Sequence, residues 1–168
     1  MVALQYFKQR TPSIGKTSDS VVEADGIDAL HGYAFEDLRE GMTADYSKTI
    51  TEADIVLYAN LTGDVNPAHL NPAYAAASMF KGRVAHGMLT AGLISTAIGT
   101  KLPGPGAIYV GQTLRFKAPV RIGDTVVARV TVGKLNAGRR FVELKTTCSV
   151  GETTVIDGEA TVMVPSRD

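Results

Sequence analysis

The stretch "HGMLTAGLISTAIGTKL", His86 to Leu102, decides the fold. It holds no charged residue before Lys101 and is apolar or small on every side. A helix packed on a domain surface keeps a polar stripe, so a helix without one is expected to be buried all round. Its small residues, Gly87, Ala91, Gly92, Ser95 and Gly99, are expected to let other backbones come close.

Something must enclose such a helix. After "PGPG", Pro103 to Gly106, the chain changes character. "AIYVGQTLRFKAPV", "DTVVARVTVGKL", "RRFVELKTTCSV" and "TTVIDGEATVMV" are rich in Val, Thr and aromatics, partly alternate, and are separated by glycine-containing turns. They read as four antiparallel strands. Upstream, "EDLREGM" turns into a first strand, Thr43 to Ile50. In "TEADIVLYANLTG", Thr51 and Asp54 stand in the pattern of a helix start, Ile55, Tyr58 and Ala59 share a face, and Gly63 ends the segment. The spacing predicts a helix over Thr51–Thr62, then a short one in "NPAYAAASMF" with Pro72 in its first turn. About five strands around one buried helix make an α+β protein of hot-dog architecture.

The bounds are those of one domain. The chain has 168 residues, 45% hydrophobic and 20% charged, enough for a core without metals or disulfides. Residues 1–32 lack sustained periodicity and read as an N-terminal arm, with the domain over 33–168. Basic and acidic residues number 17 each. That balance argues against a nucleic-acid surface and does nothing to oppose self-association. No apolar run approaches the roughly 18 residues of a membrane span. Cys148 is the one cysteine, on a strand, where it reads as a buried core residue. It allows no internal disulfide, and no Cys/His spacing suggests a metal. With no signal-peptide core read at the N-terminus, a reducing compartment, the cytoplasm, is expected.

Between the two helices lies "TGDVNPAHLNPAYAA", Thr62 to Ala76. It sets an acid, Asp64, and an imidazole, His69, five residues apart across a turn made by Asn66 and Pro67. Taken singly, Asp64 is an ordinary turn residue and His69 an ordinary surface histidine. Together, "LTGDVNPAH" followed by "GRVAHGML" resembles the (R)-specific enoyl-CoA hydratases, the MaoC-like or hydratase-2 family. "YVGQTLRFKAPVRIGDTV" is similar to that family's strand and turn after the central helix, and the resemblance extends over about residues 33–165.

The chemistry of those residues agrees with what the resemblance implies. Hydrating a 2-enoyl thioester needs a base to activate water at C3, a proton for C2, and a donor to the thioester oxygen as enolate character develops. Asp64 and His69 can share one water, held on one side of a turn that Pro67 stiffens. Asn66 is expected to brace the turn through its own side chain and to border the substrate. The N–H of Gly87, at the start of the buried helix, is the candidate oxyanion donor. By resemblance, Ser95 lies beside the reacting carbons, and Ile98 and Val162 border the acyl chain; plain core packing is an equal reading of these three. His86 reads as a structural hydrogen-bonding residue, and His31 has no argued role. Lys81, Arg83, Arg115 and Lys117 are candidates for the rim that meets coenzyme A phosphates. No cofactor is expected beyond the coenzyme A of the substrate, and the resemblance implies a homodimer or higher oligomer.

Two other readings compete. A 3-hydroxyacyl dehydratase of fatty-acid synthesis, acting on acyl carrier protein, would use the same site in reverse. A non-catalytic acyl-thioester-binding subunit would not need both Asp64 and His69. A thioesterase on this fold places its carboxylates differently.

Overall fold

The structure, a computed structural model, describes residues 30–167. Almost all of the predicted arm therefore lies outside the described residues. The chain enters at Gly32 and Tyr33, whose N–H groups donate to the Pro105 and Pro103 carbonyls at 2.8 Å each. A single turn of 3₁₀ helix, Phe35–Asp37, leads to β1, Thr43–Thr49.

The five strands form one antiparallel sheet in the order β1-β3-β4-β5-β2, with β2 at Ile108–Phe116, β3 at Thr125–Asn136, β4 at Phe141–Val150 and β5 at Thr153–Met163. Side chains alternate across a strand, so each strand gives one face to the core. Val126, Ala128, Val130 and Val132 of β3, and Val142, Leu144 and Cys148 of β4, are all buried at this alternate spacing. Against them lie Leu93, Ile94, Ala97 and Ile98 of the long helix, Gly87–Thr100, in one hydrophobic cluster that also takes Ile156, Ala160 and Val162 from β5. Burying an aliphatic side chain of this size is worth about 1.5–3 kcal/mol, so this contact is the main stabilising layer. Among the described residues, no helix is long and apolar enough to cross a membrane.

One expectation needs correction. The long helix is not buried all round. Met88, Gly92, Ser95 and Gly99 form an exposed stripe, and a Cβ added at Gly92 or Gly99 would meet nothing within 4 Å. A sheet covers only one side of a helix, and among the described residues no other element closes over the opposite side. Lack of charge on a helix therefore measured how little water it tolerates, not how many neighbours its own chain supplies.

The remaining α-helices among the described residues sit between β1 and the long helix, and we label them in chain order. α1, Glu52–Thr62, starts where predicted. Thr51 Oγ1 accepts from the Asp54 N–H at 3.2 Å, and Asp54 Oδ2 accepts from the Thr51 N–H at 2.8 Å, a reciprocal cap that satisfies two N–H groups. Gly63 ends it in the left-handed region, φ 77°, a turn that glycine makes without strain. Then come α2, Pro67–Leu70, and α3, Pro72–Ala77, each with proline at its first position. α2 was read from sequence only as a turn; four residues are too few for a periodic signal. The long central helix, Gly87–Thr100, is α4.

Candidate active site

The end of α1, the α2 turn, the segment before α4 and the end of β2 converge on one open cleft of roughly 790 Å³. Asp64, Asn66, His69, Gly87 and Lys117 line it, with Tyr58, Met79, Phe80, Phe116 and Pro119 among the walls.

The turn is built from its own side chains. Asn66 caps α2, its Oδ1 accepting from the Ala68 N–H at 3.0 Å. Asp64 Oδ1 accepts from the Asn66 N–H at 3.3 Å. Asn66 thus does what was expected of it in the turn. Pro67 fixes φ at the first position of α2, so the six residues from Asp64 to His69 fold back instead of extending.

The segment before α4 then locks the turn. Arg83 Nε donates to the His69 carbonyl at 2.6 Å, and the Val84 N–H donates to the Ala68 carbonyl at 3.4 Å. His69 Nδ1 lies 2.8 Å from the Val84 carbonyl oxygen. A carbonyl only accepts, so Nδ1 carries the proton and Nε2 is left as the accepting nitrogen of the ring. His86, only 1% exposed, stacks on His69 with ring centroids 3.8 Å apart and places its Nε2 2.9 Å from the Asp64 carbonyl oxygen.

Donor atoms of Asp64, His69 and His86 all lie within 4.8 Å of one another. One water making two hydrogen bonds of about 2.8 Å at a near-tetrahedral angle spans about 4.5 Å, so the Asp64 carboxylate and the His69 ring stand at water-sharing distance. The same three residues are a possible metal donor set. Carbonyls occupy His69 Nδ1 and His86 Nε2, which leaves one ring nitrogen of each for a further partner. A histidine whose other N–H meets a carbonyl suits proton transfer or metal ligation alike.

At the head of α4 no side chain caps the helix, and Gly87 is exposed in the cleft. Its first N–H groups lack helical partners and carry the positive end of the dipole. Phe116 lies directly over this glycine: a Cβ there would sit 2.8 Å from the ring.

The other predicted residues fall elsewhere. Ile98 and Val162 do not line the cleft; they are 2% and 0% exposed within the core cluster. Ser95 is on the exposed stripe of α4, also outside the cleft. Of the four basic candidates, only Lys117 is at the cleft, with Asp157 3.5 Å from its ammonium. Lys81 and Arg115 are exposed but do not line it. Arg83 is committed to Glu52 through two bonds of 2.9 and 2.8 Å and to the His69 carbonyl. His31 is outside the cleft, against Gly106. Sequence reasoning missed Tyr58, Phe80 and Phe116 as walls; each lies on an element it had placed, but only the three-dimensional crossing of those elements brings them together.

Comparison with known proteins gives a consistent picture. A family model described as a MaoC like domain matches residues 36–155. An (R)-specific enoyl-CoA hydratase of Rhodospirillum rubrum is 59% identical over 140 residues, covering 83% of this chain and 97% of that protein. A 3-hydroxybutyryl-CoA dehydratase of Methylorubrum extorquens is 53% identical over 134 residues, covering 80% and 85%. Among solved structures, the unliganded R-hydratase PhaJ1 from Pseudomonas aeruginosa superposes with a TM-score of 0.77 at 44% identity, covering 81% of this chain and 88% of that one.

Proposed function

The chain belongs to the MaoC-like domain family, and we propose that it adds water to trans-2-enoyl-CoA to give (R)-3-hydroxyacyl-CoA, with Asp64 and His69 as the acid–base pair. The observation that carries this reading is the placement of that pair at water-sharing distance in the cleft that also holds the open N-terminus of α4. The water lies between the Asp64 carboxylate and His69 Nε2. As its oxygen bonds to C3, one of its protons passes to the pair. The C2–C3 π electrons move toward the thioester carbonyl, and the Gly87 N–H donates to the oxygen that gains charge. A proton from the pair then goes to C2. Both additions come from the face that the pair occupies, so addition is syn.

The relative named as a dehydratase points to the reverse direction, and one site catalyses both. The carrier is read at the rim, where Lys117 is the cation at the cleft. The reading includes a protein of the cytoplasm that takes no cofactor beyond the coenzyme A of its substrate. It also includes a homodimer. β2 is a sheet edge whose Tyr109, Val110 and Phe116 are exposed, and an open edge of this kind invites pairing with a second copy.

The test is incubation with a panel of enoyl-CoAs of increasing chain length, following loss of the conjugated thioester absorbance and resolving the alcohol by chirality. An (S) alcohol, or no turnover with any chain length, would sink the reading.

A further inference from the structure

We infer that His86 is a positioning residue for this reaction, holding Asp64 and His69 in register with each other and with the head of α4. The inference rests on the reading of Asp64 and His69 as the acid–base pair. Three ties meet at this one residue, two through its side chain and one through its main chain. Its Nε2 lies 2.9 Å from the Asp64 carbonyl oxygen, which only accepts, so Nε2 bears the proton and donates. Its ring lies against His69 on one side, centroids 3.8 Å apart, and Tyr58 on another, 4.9 Å apart. Its own carbonyl accepts from the Thr90 N–H at 3.2 Å, starting the helix whose first residue is Gly87. A shift of His86 therefore moves the acid, the imidazole and the oxyanion donor together.

Packing alone does not account for a histidine here. The side chain is 1% exposed, and Nδ1 has no hydrogen-bond partner among the described residues. A buried unpaired nitrogen is costly, and an apolar ring would fill the space without one. The feature an apolar ring lacks is the Nε2 donor to Asp64. His86 also lines the cleft but is not assigned a proton-transfer step.

Two variants separate the ties. His86→Phe keeps a ring against His69 and removes the donor. His86→Gln keeps an N–H near the Nε2 position and removes the ring. For crotonyl-CoA hydration, His86→Phe is expected to lower kcat by about 10–100-fold, the scale of an ångström's misplacement, with KM within about two-fold. His86→Gln should recover much of that loss. In an Asp64→Asn background, His86→Phe should cost less than about two-fold more, because the geometry it protects no longer matters. Imidazole nitrogen NMR of the unaltered protein should show His86 protonated at Nε2. Near-normal kcat for His86→Phe, an equal loss in the Asp64→Asn background, or a proton on Nδ1 would each overturn the inference. If His86→Phe does not fold, the NMR tautomer and the His86→Gln split between kcat and KM decide. Should Asp64→Asn alone keep normal turnover, the acid–base reading fails; should only the His86 variants be silent, that reading stands and this one falls.

Discussion

His69 Nδ1 and the Val84 carbonyl oxygen are 2.8 Å apart, and this contact decides which nitrogen of His69 faces chemistry. On the proposed mechanism, with Nδ1 donating, Nε2 is the acceptor toward a water that Asp64 shares. His69→Gln keeps a polar group and loses the titrating ring; Asp64→Asn keeps the shape and loses the base. Each should lower kcat by about 10²–10⁴-fold with KM little changed. If the two share one water, losing either partner already disorders it, and the double variant should be hardly slower than the poorer single one. Steady-state kinetics on the three proteins checks this, and fully multiplicative losses would mean independent roles.

Arg83 and Lys117 should now behave differently, although both looked like phosphate ligands in the sequence. Arg83 grips Glu52 and the His69 carbonyl, so Arg83→Ala should lower kcat and thermal stability while leaving KM for enoyl-CoA within about two-fold. Lys117→Ala should raise KM several-fold and spare kcat, with an effect that fades at high salt because the site is exposed. An equal KM effect from both would return Arg83 to the rim.

The contrast shows where sequence stops being informative. Strand alternation, the Thr51–Asp54 cap and the Asp64–His69 spacing are local, and each appears in the structure where the sequence put it. A cation's partner is not local: Glu52 is 31 positions from Arg83, and nothing in either neighbourhood announces the pair. Phe116 and Gly87 meet for a similar reason, through a strand end crossing a helix start. Ile98 was equally readable as pocket wall or core, and only its 2% exposure within the core cluster separates the two in this chain. The exposed stripe on α4 was misjudged because small apolar residues suit a face that packs as well as one already packed.

Asp54 gives a dependence of stability on acid. Burial acts to raise its carboxyl, but bonds from Thr51 and Lys48 outweigh that and hold it below its ordinary 3.8. A carboxyl lowered in the fold stabilises when ionised. Its contribution is complete above about pH 5 and is lost as pH falls through the folded value. Denaturant titrations should show Thr51→Ala about 1 kcal/mol less stable at pH 7, the usual loss of a cap. Asp54→Asn should also be less stable at pH 7, with its deficit shrinking toward pH 3. A deficit that grows on acidification would contradict the assignment.

Cys148 is fully buried on β4, and burial pushes its thiol up to about 12. The thiolate is the reactive form, so the folded protein should resist aromatic disulfide reagents at pH 8. Labelling should instead follow unfolding, rising across the same denaturant range as loss of ellipticity. Rapid labelling of folded, active protein would place the thiol nearer the surface than this packing allows.

The tightest constraint in the site is between Phe116 and Gly87. A Cβ on residue 87 would come within 2.8 Å of Cε1 and 2.9 Å of Cδ1 of the Phe116 ring. Those distances are too short to keep, so Gly87→Ala must displace the ring or tilt the first turn of α4. The glycine φ is not in the left-handed region, so the cost is steric and not conformational. Gly87→Ala should therefore lose kcat by roughly 10²-fold if the N–H at 87 leaves its line to the thioester oxygen, the scale seen when one oxyanion donor is removed. Phe116 is 54% exposed, so trimming it should leave the fold intact. The Gly87→Ala, Phe116→Ala double variant then has room for the new methyl and should regain a large part of the lost kcat and of the melting temperature. Crotonyl-CoA turnover and thermal melts on the two single variants and the double would decide it. A double variant as slow as Gly87→Ala alone would mean that the methyl obstructs the thioester itself, making Gly87 a contact surface for substrate and not only a donor kept in line.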